Sequence, residues 1–339
     1  MKTMKYTKYA LAAVLLAACL LSCKKDKDSV SPSLSGGVRV SIPGYVFPGD
    51  VIKTSVGGVY RDDESDTLLM YTCYNSITGK SDTLRREGDP ASVKADFEYT
   101  VPDTIGRFYF SFTAWAKGYT SKYSTQYFYV VDTTLNGSSI SGYVMSMEEP
   151  AIDSRDGRRY PATSAGSQKW MMTNLAWEGA GEAYQGAPAA SRLFGRYYTW
   201  NEASSSVCPD GWHLPTDAEW TALAESAGAT SVSGHVDVPD AAGRLMGKIL
   251  FYGEAMWGFA KDVKISNDVN FCAIPVGYAK VDPDAGYSFE GYGSFACFWT
   301  ADEFDSQRAL VRYIYWDKPA LSVAAMPKDS YAASVRCVK

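Results

Sequence analysis

Histidine is nearly missing. The 339 residues hold only His213 and His235, which argues against a histidine-rich metal centre and against most imidazole acid–base catalysis. Basic clusters are as scarce: none lies beyond the first 27 residues, and 33 Lys+Arg against 38 Asp+Glu give a formal charge of −5. Nucleic acid is therefore not an expected partner. None of the seven cysteines stands in Cys-x-x-Cys spacing, so zinc ribbons and thioredoxin-like chemistry are disfavoured. No Gly-x-Ser-x-Gly elbow, phosphate-binding loop or dinucleotide fingerprint occurs, and neither catalysis nor a cofactor or metal is expected. After Leu21 no apolar run approaches the roughly 20 residues that span a bilayer.

What is present begins with a processing segment. Lys2, Lys5 and Lys8 make a positive start, and Tyr9 to Leu21 is a 13-residue apolar run, too short for a membrane span. It ends in Leu20-Leu21-Ser22-Cys23, which resembles the bacterial lipobox, where a signal peptidase cleaves before the cysteine and that cysteine carries the lipid. A rival box, Leu16-Ala17-Ala18-Cys19, would leave Leu20 and Leu21 on the mature end. Cleavage at Cys23 instead exposes the polar Lys24-Lys25-Asp26-Lys27-Asp28. Residues 1–22 therefore read as a lipoprotein signal peptide, Cys23 as the lipidated residue, and 23–37 as a flexible tether reaching about 20 Å. An ordinary secretory signal is the other reading. Loss of residues 1–22 removes three Lys and no acid, leaving 30 basic against 38 acidic residues, a formal −8. An acidic body does not cling to anionic lipid, so N-terminal acyl chains are the expected link to the bilayer.

Apolar content of 46% with 21% charge is globular, and the length suits two domains at roughly 100–200 residues each. Residues 38–133 are strand-rich. Val38 to Ile42, Leu69 to Tyr74 and Val93 to Tyr99 alternate, and Phe108 to Trp115 and Tyr123 to Val131 are rich in aromatic and β-branched residues. Turns at Phe47–Asp50, Thr78–Lys80 and Pro102–Gly106 separate them. Six or seven short strands read as an all-β sandwich. Asp103 to Phe110 resembles the corner before a late strand of an immunoglobulin-like domain, with Phe108 where such corners often carry Tyr. Cys73 reads as a buried small side chain. Residues 134–149 are polar and turn-rich and read as a linker.

Residues 150–339 carry the informative motifs. Asp156-Gly157 marks a tight turn. Thr216 and Glu219 make a capping box, Trp220, Leu223 and Ala227 form one stripe, and Gly228 is a left-handed stop, so the spacing predicts a helix of about three turns. Gln168–Leu175, Tyr198–Ala203, Cys208-Pro-x-Gly-Trp-His-Leu-Pro-Thr216, Phe271-x-Ala273-x-Pro275-x-Gly277-Tyr278, Phe298-Trp299-Thr300 and Val335-Arg336-Cys337-Val338 together resemble the Fibrobacter succinogenes major paralogous domain family. That family is widespread in lipoproteins of Bacteroidetes-type bacteria and brings no established activity. The resemblance implies a bacterial envelope location, as an outer-membrane lipoprotein exposed at the surface.

The layout is also similar to a C-type-lectin-like α+β fold, in which a Trp-x-x-Ala helix carries a cysteine bridged to the last strand. Trp200-x-x-Ala203 matches that helix, Thr216 to Ala227 the second, and Val335 to Val338 the closing strand. This resemblance implies the disulfide Cys208–Cys337. A second pairing, Cys272–Cys297, is expected because each cysteine sits beside an aromatic in a predicted strand. The Glu-Pro-Asn or Gln-Pro-Asp loop and the Trp-Asn-Asp strand of calcium-dependent lectins are lacking. Asp282-Pro283-Asp284 reads as a solvated turn, since calcium takes about 6–8 oxygens. The Leu-Pro-Thr-x-x-Glu-Trp run is similar to one in formylglycine-generating enzymes, but no close cysteine pair accompanies it. His213 reads as structural.

Val281 to Tyr292 is expected to be a loop, with Trp316 in a second connection. The ligand-binding expectation is that Tyr287 and Trp316 face solvent, with Asp284 and Asp317 as polar partners for a sugar or peptide, independently of calcium. The alternative is that these rings cover a small core. The expected fold is α+β, an immunoglobulin-like sandwich followed by a C-type-lectin-like domain. The expected function is a non-catalytic binding module for glycan or another surface ligand, the alternative being a structural or assembly subunit of a surface or adhesin complex.

Overall fold

A computed structural model describes residues 31–61, 69–84, 94–145 and 148–339. The signal segment, Cys23, Cys19 and the tether up to residue 30 lie outside the described residues. The N-terminal unit has eight strands: β1 (Ser35–Arg39), β2 (Tyr45–Val46), β3 (Val51–Tyr60), β4 (Met70–Asn75), β5 (Lys80–Leu84), β6 (Ala95–Thr100), β7 (Gly106–Trp115) and β8 (Lys122–Val130). They form two sheets, ordered β1-β3-β6 and β2-β8-β7-β4-β5. Alternation decides which residues point inward: Tyr71, Cys73 and Asn75 are buried on β4, while Met70, Thr72 and Tyr74 between them are not. The sheets meet through aromatic rings. Phe97 packs edge-on against Phe110 and Phe112 at 5.0 and 5.1 Å, and Phe110 stacks on Phe128 at 4.9 Å. Cys73 is a free thiol in this core, and burial pushes it up to about 12.

Two expected boundaries move. The tether expected through residue 37 ends sooner, because Leu34 is buried and β1 pairs with β3 from Ser35 onward. Gly36 permits that pairing: its φ is +72°, and a Cβ there would meet the Gly58 carbonyl. The stretch 134–149 is not a free linker. It contributes β9 (Ile140–Ser141), Ile140 and Tyr143 are buried, and the Asn136 side chain brackets the Tyr143 backbone with two 2.9 Å hydrogen bonds. Two apolar anchors outweigh the polar residues around them.

The C-terminal unit opens with two hairpins, β10 (Ala151–Ile152) with β11 (Arg159–Tyr160) and β12 (Ala162–Ala165) with β13 (Gln168–Met171). Then follow β14 (Glu182–Ala183), α1 (Pro188–Phe194), β15 (Arg196–Thr199), α2 (Trp200–Ala203), α3 (Asp217–Ser226) and α4 (Ala242–Leu245). The remaining strands are β16 (Leu250–Phe251), β17 (Glu254–Ala255), β18 (Tyr278–Asp282), β19 (Gly286–Glu290), β20 (Phe295–Glu303), β21 (Arg308–Tyr315), β22 (Leu321–Pro327) and β23 (Tyr331–Ala333). Two sheets dominate, β14-β15-β23-β18-β19 and β20-β21-β22. The predicted helix is α3, with both halves of its capping box formed. The Trp-x-x-Ala segment is a single turn, α2, held by a second box between Thr199 and Glu202. No described helix is long and apolar enough to cross a membrane.

The bridge Cys208–Cys337 is formed, with Cα atoms 5.9 Å apart. The expected Cys272–Cys297 bridge is not: both are free, buried thiols. Cys272 lies outside any strand, at φ +57°, clasped by the Asn267 side chain. Cys297 sits in β20 against the Tyr331 hydroxyl at 3.4 Å. The two fall in different core clusters. The terminal Val335–Val338 runs beside β13 rather than forming a full strand, with Met171 N–H donating to Cys337 O and Lys169 pairing with Lys339. Within it Arg336 is fully buried. Nε donates to Asn174 Oδ1 (2.7 Å), Nη1 to the carbonyls of Met171 (3.0 Å) and Phe271 (2.6 Å), and Nη2 to that of Cys272 (3.0 Å).

The two units share a core. Tyr45 and Tyr129 stack at 5.3 Å; Tyr45 meets Phe194 at 5.6 Å, and Tyr129 meets Phe251 and Tyr252 at 5.0 and 5.2 Å. Tyr252 donates to Val130 O at 2.6 Å and accepts from Ser139 at 2.9 Å. β9 pairs with β16 across the same seam.

Candidate ligand-binding groove

The sheet β20-β21-β22 is buried on both faces, but not to its full extent. One face, with Ala296, Phe298, Ile314 and Leu321, lies under the Trp220–Leu223 stripe of α3. The other carries Cys297, Trp299, Val311 and Ala309, covered by Tyr331 of β23 and Tyr278 of β18. Beyond that cover the second face continues with Phe295, Tyr313, Tyr315 and Met326, which are left partly exposed. Register explains the clustering: Phe295 is opposite Tyr315, and Cys297 opposite Tyr313. The result is a groove of about 450 Å³ between hairpin and sheet.

Its walls are rings in contact. Tyr278 stacks on Tyr331 at 4.8 Å, Phe295 on Tyr313 at 5.2 Å, and Phe295 meets Tyr278 and Tyr315 edge-on at 5.6 and 6.0 Å. One carboxylate stands at the rim. Glu290 accepts from Tyr278 Oη and Lys280 Nζ, each at 2.7 Å, and these donors hold its pKa below the usual value. The same hydrogen bond, with burial, pushes the Tyr278 phenol up to about 12. Glu290 is thus a fixed, ionised acceptor beside a half-exposed aromatic floor. This arrangement can stack a flat apolar face and accept a hydrogen bond from it.

The four residues expected to bind ligand are not brought together. Val281 to Tyr292 is largely hairpin, not loop: β18 and β19 pair from Tyr278–Glu290 to Asp282–Gly286. Asp282 makes the turn by accepting from the N–H groups of Asp284 and Ala285, and Gly286 adopts φ +78°. Asp284 is exposed at the tip. Tyr287 is half-buried against Phe289 and the junction core, where burial first, then Glu202 and Glu182, push its phenol up to about 12. Trp316 is half-buried against the α3 core near Gly258, and Asp317 is exposed beside it. The pair of rings therefore rests on two different cores. The groove residues that were missed have a period-2 signal in Tyr313-x-Tyr315, but which face stays uncovered depends on the hairpin's length.

Both histidines sit at the start of α3. His213 opens onto a cleft of about 590 Å³ with Trp200, Trp212 and the Cys208 bridge, its Nε2 2.9 Å from Glu219 Oε1. A histidine in an open cleft on a carboxylate is what acid–base chemistry requires, so the carboxylate's other bonds matter. Glu219 Oε2 accepts from the Thr216 N–H and hydroxyl, and Oε1 accepts from Gln168 Nε2. Burial raises its pKa, but Thr216 and His213 outweigh that and lower it overall. Glu219 is thus shared between His213, Gln168 and the α3 cap. His235 Nδ1 lies 2.8 Å from Asp217 Oδ2, whose carboxylate is gripped by buried Arg312 at 2.5 and 2.8 Å. No group of three or more His, Cys, Asp or Glu able to hold a metal occurs among the described residues.

No curated protein matches the chain. The Fibrobacter succinogenes major domain matches residues 163–339. That span contains α3, both large sheets, both bridged cysteines and every residue of the groove. With more than half its length matched, the chain belongs to the Fibrobacter succinogenes major domain family.

Proposed function

We propose that the chain is a membrane-anchored surface lipoprotein whose C-terminal unit is a non-catalytic glycan-binding module, with the groove of Phe295, Tyr313, Tyr315 and Glu290 as its site. The single observation that carries this reading is a partly exposed aromatic floor with an ionised carboxylate at its rim. Pyranose rings offer apolar C–H faces to stack and hydroxyls to donate. Anchoring rests on the Leu20–Cys23 box, with the bacterial outer membrane as the location. The N-terminal sandwich is read as an immunoglobulin-like spacer. The C-terminal unit is read as C-type-lectin-like, a reading supported by the Cys208–Cys337 bridge between the segment after α2 and the chain end.

The test is a glycan array followed by calorimetry on the hits. Tyr313→Ala with Tyr315→Ala should weaken binding about five- to hundredfold, from roughly 0.5–1.5 kcal/mol per ring contact, and EDTA should change nothing. An array without hits, or hits indifferent to both substitutions, would remove the reading. The second reading, an assembly subunit, draws on Phe259, whose ring is 90% exposed. It predicts an oligomer or complex that Phe259→Ser dissolves.

A further inference from the structure

The N-terminal unit carries a second aromatic surface, flat rather than grooved. Alternation on β4, β7 and β8 sends one set of residues into the sandwich core and the other to the outer face of the five-stranded sheet. Tyr109 is opposite Tyr127, and Tyr74 opposite Ser111. Three tyrosines thus run in a row across three strands, Tyr74 to Tyr109 at 5.8 Å and Tyr109 to Tyr127 at 5.6 Å between ring centroids. The Arg107 guanidinium lies 4.9 Å from the Tyr127 ring. Beside the row, Ser111 Oγ and Thr125 Oγ1 lie 3.3 Å apart. Tyr127 is 56% exposed. The face is continuous with an interface already formed: Tyr129, opposite Arg107, is the ring that Phe251 and Tyr252 of the other unit cover.

We propose that the uncovered part of this face binds an uncharged, extended polysaccharide strand laid across β4, β7 and β8. A row of rings gives successive sugars a stacking track, and the flanking Ser and Thr hydroxyls donate and accept along it. The charge pattern selects the occupant. Of the outward residues on these three strands Arg107 alone is ionised, so a charged partner finds no matching array. The chain's net charge of −5 disfavours a polyanion. Tyrosine and arginine also anchor protein partners; a face that docks protein instead would sediment with neither neutral polymer in the test below. Cross-strand tyrosine pairs also stabilise a sheet, and the test separates that role from binding.

The experiment is co-sedimentation of the full-length chain, in detergent, with microcrystalline cellulose and with insoluble chitin, and with alginate beads as the anionic comparison. Wild type is expected to sediment with at least one neutral polymer. Tyr109→Phe with Tyr127→Phe should keep that retention, and Tyr109→Ser with Tyr127→Ser should weaken it at least tenfold. The groove pair Tyr313→Ala and Tyr315→Ala should leave retention on this probe unchanged, so the two sites fail separately. Wild type that sediments with neither neutral polymer, retention on alginate alone, serine variants that sediment like wild type, or loss caused only by the groove pair would each overturn the proposal. If the double serine variant melts early, Tyr127→Thr, which suits a strand, replaces it with the same expectation of reduced retention.

Discussion

Removing the Cys208–Cys337 bridge by Cys208→Ala with Cys337→Ala should cost most of what a domain of this size has to lose. The bridge joins residues 129 apart. In the chain-entropy account a loop of that length raises folded stability by about 5 kcal/mol at 25 °C by restricting the unfolded chain, against total stabilities of roughly 5–15 kcal/mol. The closed loop holds α3, the sheet β20-β21-β22 and strands β18, β19 and β23 of the other large sheet, so no local fraying can absorb the loss. At about 2–4 °C per kcal/mol for a unit of this size, Tm should fall by roughly 10–20 °C. Tryptophan fluorescence is the assay, because eight of the nine tryptophans lie within residues 163–339 and only Trp115 lies outside. Urea curves of wild type, oxidised and reduced, and of the double variant should place the reduced and substituted proteins together and well below the oxidised one. A loss under about 1 kcal/mol would refute the premise that the reduced unfolded chain expands freely.

Arg336→Met should destabilise by about 3–5 kcal/mol in urea, because it leaves the Met171, Phe271 and Cys272 carbonyls unpaired, at about 1–3 kcal/mol for each buried acceptor left unsatisfied. Arg336→Lys should restore little, since an ammonium cannot serve the same spread of acceptors. Glu219 has a folded-state pKa below its ordinary 4.5, so the unfolded state binds the extra proton in acid. Its stabilisation is whole above pH 4.5 and disappears as pH falls through the folded value; Glu219→Gln should therefore flatten the acid limb of a Tm-against-pH profile. Burial pushes the Cys73 and Cys297 thiols up to about 12. Iodoacetamide at pH 8 should leave both unlabelled in the folded protein and label both in urea, as read by peptide mass mapping.

The legible parts of the fold were those encoded within a few residues. The α3 capping box, the alternating strands of the sandwich and the Asp156-Gly157 turn each depend on neighbours in sequence. The Asp282–Gly286 turn misled for the same reason: proline, glycine and aspartates read as loop, while Tyr287 and Phe289, two apart, already carried strand period. Cys272 could not be judged locally, because its left-handed backbone is imposed by Asn267. The grip of Arg312 on Asp217 spans 95 residues and His235 adds its contact from 18 away, so no local pattern reports it. The groove is a harder case still. Its rings were visible, but their exposure is set by where one sheet stops covering another.

The ring-to-ring seam between the two units has a mechanical consequence. A hinge needs one crossing strand and little else; this junction has one crossing chain but also a packed seam of rings. Force applied to the C-terminal unit would pass through Tyr45, Tyr129, Phe251 and Phe194 as a packed bearing, not along the single chain that crosses near Ser139. That crossing chain is itself stitched down by the β9–β16 pairing and by Tyr252 reaching back to Val130. The angle between groove and sandwich is therefore built in: the sandwich is fixed relative to the sheet that carries the groove.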